Sequence, residues 1–107
     1  MMRLSRKKAI ELCIALWEWL AKTGKYKEAW PEWDKYGNIT CDCWFCEYDE
    51  RQKKRHKEKR ACIYCPFRRK WDVHCSKTFF ENWEDAKTPR TRKKYAKLFL
   101  AQIKEIK

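Results

Sequence analysis

The stretch CDCWFC places Cys41, Cys43 and Cys46 within six residues, and CIYC begins at Cys62, sixteen positions after Cys46, and ends at Cys65. Clustered thiols form disulfides, exchange electrons or hold a metal. Seven cysteines are an odd number, so they cannot all pair within one chain. No apolar run of signal-peptide length follows the basic opening MMRLSRKKAI, where Glu11 and Glu18 interrupt the next stretch, and no run approaches the ~20 apolar residues of a membrane span. The expectation is a cytosolic protein with no membrane partner and with reduced thiols.

Cys43-x2-Cys46-x15-Cys62-x2-Cys65 has the four-thiolate zinc spacing of two C-x2-C knuckles. Two thiolates three positions apart in a tight turn grip one side of a tetrahedral Zn2+, and a second knuckle closes the other side. A redox role for Cys43-x2-Cys46 needs a strand before the motif and a helix after it, and only the helix is plausible. Cys41 is an alternative to Cys43, and His74 or Cys75 is a substitute further on. His56 sits among Lys and Arg and reads as solvated, while Cys13 lies in a helical repeat and reads as a small buried hydrophobe.

The elements that must carry this cage are helices. In SRKKAIELCIALWEWLAKTG, Ile10, Cys13, Ile14, Trp17, Leu20 and Ala21 recur at helical spacing, with Ser5 as cap and Gly24 as stop. In TPRTRKKYAKLFLAQIKEIK, Thr88 is the cap and Pro89 the first helical residue, and Tyr95, Leu98, Phe99, Gln102, Ile103 and Ile106 form the expected apolar face. Ser76 to Lys87 reads as a short third helix with Phe79, Phe80 and Trp83 inward. Tyr26, Trp30, Trp33 and Tyr36 lie between Gly24 and Gly37, as a lid on the core or a stacking wall, and Pro31 opens one helical turn there. The expected fold is mainly α. Two long amphipathic helices pack together around a central zinc-knuckle module of four cysteines, and residues 1–107 form a single zinc-stapled domain.

The chain carries 27 Lys+Arg against 15 Asp+Glu, a net +12, which points to an anionic partner: nucleic acid, a nucleotide or an acidic protein face. Residues 51–60 hold seven Lys or Arg against one Glu, whereas residues 25–50 hold three Lys against seven Asp or Glu. Arg51, Lys53, Lys54, Arg55 and Lys57 are therefore candidates for tracking a nucleic-acid backbone, or a solvated arm of the zinc loop. At the start of the last helix, Thr88, Arg90, Thr91, Arg92, Lys93 and Lys94 cluster where free N–H groups and the helix dipole favour an anion. Glu81, Glu84 and Asp85 just upstream could neutralise them instead. Trp30 and Trp33, with Trp19 off the stripe of its helix, are the aromatics for stacking on a base or anchoring a protein partner.

AIELCIALWEWLAKTGKYKEAWPEW, CWFCEYD, CIYCP and TPRTRKKYAKLFL together resemble a group of small Cys-rich phage and prophage proteins of Firmicutes, over nearly the whole chain. The resemblance implies an accessory protein in the host bacterial cytoplasm, of the kind used in host takeover or evasion of defence. It carries over no functional residue. Two Ser, two His and two Gly leave no Ser-His-Asp set and no phosphate-cradling glycine loop, and Pro66 follows its knuckle rather than preceding it as in zinc deaminases. The expected function is non-catalytic: capture of a phosphate-bearing ligand, either nucleic acid or a nucleotide held as by a sponge in a homo-oligomer. The alternative is an inhibitor that docks on a host defence or replication enzyme.

Overall fold

A computed structural model describes residues 4–35, 44–59, 63–71 and 78–106. Five helices are present among them, and no strand: α1 Arg6–Thr23, α2 Trp44–His56, α3 Pro66–Trp71, α4 Phe79–Asp85 and α5 Pro89–Lys104. Two 3-10 turns, Lys27–Ala29 and Pro31–Lys35, follow α1.

α1 begins where Ser5 Oγ accepts the Lys8 amide at 3.1 Å, satisfying one N–H that the first turn leaves open. It stops at Gly24, which takes the left-handed conformation at φ 70° and donates its N–H to the Leu20 carbonyl at 3.0 Å. The expected stripe is buried except Ile14, which lies half-buried at its edge, and Leu12 and Leu16 widen it. The wider face has a plain cause: α1 packs on α5 and also on α2.

α5 is capped as its sequence predicts, with Thr88 Oγ1 accepting the Thr91 amide at 3.2 Å and Pro89 opening the helix. Its buried face is rotated from the expected one. Arg92, Ala96, Phe99, Leu100 and Ile103 point inward, while Leu98 is 37% exposed. Ala96, fully buried, is small and lets α5 approach its neighbours closely, and Arg92 enters through hydrogen bonds; a stripe drawn from large apolar residues passes over both. Tyr95 and Gln102 are half-buried at the edge.

Trp17 is the centre of the core. Its ring meets Trp83 at 4.9 Å and Phe99 at 4.7 Å, both edge-on, which draws α1, α4 and α5 onto one point. α4 is shorter than the expected Ser76–Lys87 span, and residues 76 and 77 lie outside the described residues. A second aromatic group joins the 3-10 turns to α2: Trp33 stacks on Trp44 at 5.4 Å and Trp30 meets Trp33 edge-on at 4.9 Å. The Trp33 indole N–H donates to the Lys27 carbonyl at 2.7 Å, so the lid is pinned by its backbone as well as by its rings. No helix among the described residues is long and apolar enough to cross a membrane.

Candidate functional site: thiols and a basic face

Trp44 and Phe45, the two residues between Cys43 and Cys46, are core residues at 0% and 2% exposure, and they open α2. Cys46 therefore lies in the first turn of a helix rather than in the tight turn its spacing suggests. Cys65 is buried and immediately precedes α3; its carbonyl accepts the Arg69 amide at 3.1 Å. Cys43, Cys62, Cys41, Cys75 and His74 lie outside the described residues. Among the described residues no group of three or more His, Cys, Asp or Glu is arranged to hold a metal ion.

The two described ligand candidates belong to segments that are physically joined. Asp49, three positions after Cys46, is 4% exposed, and its Oδ1 accepts the backbone amide of Tyr64 at 2.8 Å. Tyr64 sits inside the second pair, CIYC. Its ring stacks against the exposed His56 at 5.5 Å, and the Arg69 guanidinium lies 5.4 Å from its centroid. Arg69 Nε also donates to the Ile63 carbonyl at 3.0 Å. A buried carboxylate, a stacked imidazole and an arginine thus hold Ile63 and Tyr64, next to Cys65, against α2 and α3.

The start of α5 is only partly a surface. Arg92 is 8% exposed and is withdrawn from the candidate phosphate ligands. Its Nε donates to the Gly24 carbonyl at 2.6 Å, Nη1 donates to Tyr26 Oη at 3.0 Å, and its guanidinium lies 4.2 Å from the Tyr26 centroid. Thr88 Oγ1 lies 2.8 Å from Thr91 Oγ1, so the two hydroxyls partner each other. Arg90 and Lys94 remain exposed and Lys93 is half-buried.

The tryptophans are core residues more than platforms. Trp30 is 4% exposed, and Trp33 and Trp19 are half-buried against the core, so the off-stripe position of Trp19 does not free it. Tyr26, at 47%, is the exposed large aromatic among the described residues.

On α2, Arg51 Nε donates to Glu47 Oε2 at 2.8 Å and Lys53 Nζ to Glu50 Oε1 at 3.1 Å, so two cations of the basic run have carboxylates one turn back. Lys54, Arg55 and Lys57 are exposed. Cations in the last turn of α2 also suit the negative end of its dipole.

Arg51 and Arg55 gain a partner that their own segment does not contain. Together with Arg6, they line a cleft of about 370 Å³ where the start of α1 meets α2, and Ser5, Tyr48 and Gln52 complete its polar wall. Arg6 also lines a neighbouring cleft of about 310 Å³ with Arg69, Lys70 and Glu105. The sequence marks Arg6 only as one of several cations in a basic opening; no local signal sets it beside Arg51, because the pairing is made by helix packing. Comparison with family models, curated proteins and solved structures gives no match for this chain.

Proposed function

We propose that this chain is a non-catalytic binding module for a phosphate-bearing ligand, nucleic acid or nucleotide, stapled by one Zn2+ on Cys43, Cys46, Cys62 and Cys65. One observation carries the ligand reading. Arg6 lines one cleft with Arg51 and Arg55 of α2 and another with Arg69 and Lys70 of α3 beside Glu105, which places cations of three helices around one residue. A basic face raises the local concentration of polyanions and gives phosphates several simultaneous partners. The metal reading rests on the ligand spacing and on the Asp49–Tyr64 tie between the two pairs. The resemblance to phage and prophage proteins would place this activity in a bacterial cytoplasm, in the capture of a host nucleotide or the occupation of host nucleic acid.

Docking on a host protein has less support. Tyr26 and Leu98 are the exposed large hydrophobics among the described residues, and protein interfaces usually centre on a buried apolar anchor.

Fluorescence anisotropy with a labelled single strand, its duplex and a labelled nucleotide, over a range of salt, tests the ligand. Native mass spectrometry of the same sample counts metal and copies of the chain. Saturable binding of one of the three, with one zinc per chain, is the expected result. Failure to bind any of them at low salt would remove the ligand reading, whatever the metal content.

A further inference from the structure

We infer that the cleft between the start of α1 and α2 is the phosphate site of this face, and that Arg6, Arg51 and Arg55 hold the phosphate of a nucleotide or of a single strand. This rests on the ligand reading above and narrows it to one place.

The cleft is lined by three arginines from two helices that are far apart in sequence, and no Asp or Glu lines it among the described residues. Glu47, which pairs with Arg51, has a side chain only 4% exposed. It takes the Nε edge of Arg51 and so fixes the direction of that guanidinium. Arg55 makes no hydrogen bond or ion pair among the described residues and is exposed at the rim. Guanidinium groups are planar forks that match phosphate oxygens two at a time.

The charge at the start of α1 is one-sided along its own sequence. The first turn of α1 has no acidic residue and carries Arg6, Lys7 and Lys8, which oppose the positive end of the helix dipole. A phosphate in this cleft would sit near the positive end of the α1 dipole, where an anion is favoured. The neighbouring cleft is the poorer anion site. Glu105 lines it, and it lies at the negative end of α5. The start of α5 is poorer too, because Arg92 is committed to Gly24 and Tyr26.

Size and composition indicate more than a bare ion. About 370 Å³ falls in the range of small-molecule sites, roughly 300–1,000 Å³. Half-buried Tyr48 and Gln52 add an aromatic ring and an amide, the groups that meet a sugar or base attached to the phosphate.

The test uses the full chain and two double variants of equal charge change: Arg6→Glu with Arg55→Glu in the cleft, and Arg90→Glu with Lys94→Glu at the start of α5. Each is titrated against a labelled nucleoside diphosphate, a single-stranded dodecamer and its duplex. The cleft variant is expected to lose about tenfold or more in affinity for the probe that binds, and the α5 variant less than about threefold. Tight binding of the nucleoside diphosphate identifies a free nucleotide as the source; binding of the dodecamer alone identifies a strand. Arg55→Gln, a single change at an exposed position, is expected to weaken binding about threefold even if the double variant folds poorly. Equal losses in both double variants, or unchanged binding by the cleft variant and Arg55→Gln, would overturn this site and leave the ligand reading standing. A wild-type chain that binds none of the probes would overturn both.

Discussion

Arg92 donates its Nε–H to the carbonyl oxygen of Gly24 at 2.6 Å, joining the start of α5 to the end of α1 across 68 positions. The residue is only 8% exposed, and its guanidinium also reaches the Tyr26 hydroxyl and, at 3.5 Å, the Ala86 carbonyl. A charge in that setting is tolerated because its Nε and Nη1 donors are matched. Arg92→Ala would leave the Gly24 carbonyl and Tyr26 without their donor, at a cost of about 3 kcal/mol in unfolding free energy. Arg92→Lys keeps the charge but loses the fork, and should recover less than half of that. Urea unfolding followed by tryptophan fluorescence measures both.

Gly24 is the other half of this joint. Its φ of 70° is a backbone region that a side chain disfavours, and a Cβ there would stand 2.7 Å from the Pro89 carbonyl oxygen. Gly24→Ala should destabilise by about 2 kcal/mol or more, because strain and collision act together. A neutral or stabilising effect in thermal unfolding would mean that α5 does not abut the α1 terminus.

The metal predictions start from Asp49. If the two cysteine pairs share one Zn2+, the Asp49 carboxylate would position the segment that carries Cys65 through the Tyr64 amide. Asp49→Ala should weaken zinc binding about tenfold, as seen when outer partners of metal ligands are lost, while the stoichiometry at saturation stays at one. Cys65→Ser should abolish stoichiometric binding, and chelation should lower the melting temperature of the wild type. Competition against a colorimetric chelator gives the affinities. Zinc affinity that ignores both Asp49 and Cys65 would exclude this ligand set.

Much of the helical frame is legible in local sequence, because caps and stops act locally: Ser5, Gly24, Thr88 and Pro89 stand where their chemistry predicts. What the sequence misplaces is decided by packing between distant segments. Ala96 and Arg92 turn inward because α1 lies against α5, and Leu98 turns outward for the same reason. Arg92 reads as a phosphate ligand in sequence since its Gly24 partner is remote. The basic run of α2 is visible in composition, but its completion by Arg6 is not, since no spacing rule links positions 6 and 51. The trios that matter most to the core and to the face, Trp17 with Trp83 and Phe99, and Arg6 with Arg51 and Arg55, are each assembled from more than one helix.

Salt dependence separates a tracked backbone from a captured nucleotide. Each phosphate of a single strand that a cation neutralises contributes about −0.7 to the slope of log affinity against log salt. A strand whose backbone runs from Arg55 past Arg6 to Arg69 would meet at least three cations, for a slope near −2 or steeper, by that rule of about 0.7 each. Removing the charges of Arg6 and Arg55 by Arg6→Gln with Arg55→Gln should then flatten the slope by about 1.4 as well as weaken binding. A nucleotide confined to the α1–α2 cleft releases few counterions, so its shallow slope should persist against any variant outside that cleft. Changes at Lys94, on the surface of α5, should leave the slope alone in both cases; a slope that falls as much there as at Arg6 would mean that net charge, and not this face, controls binding.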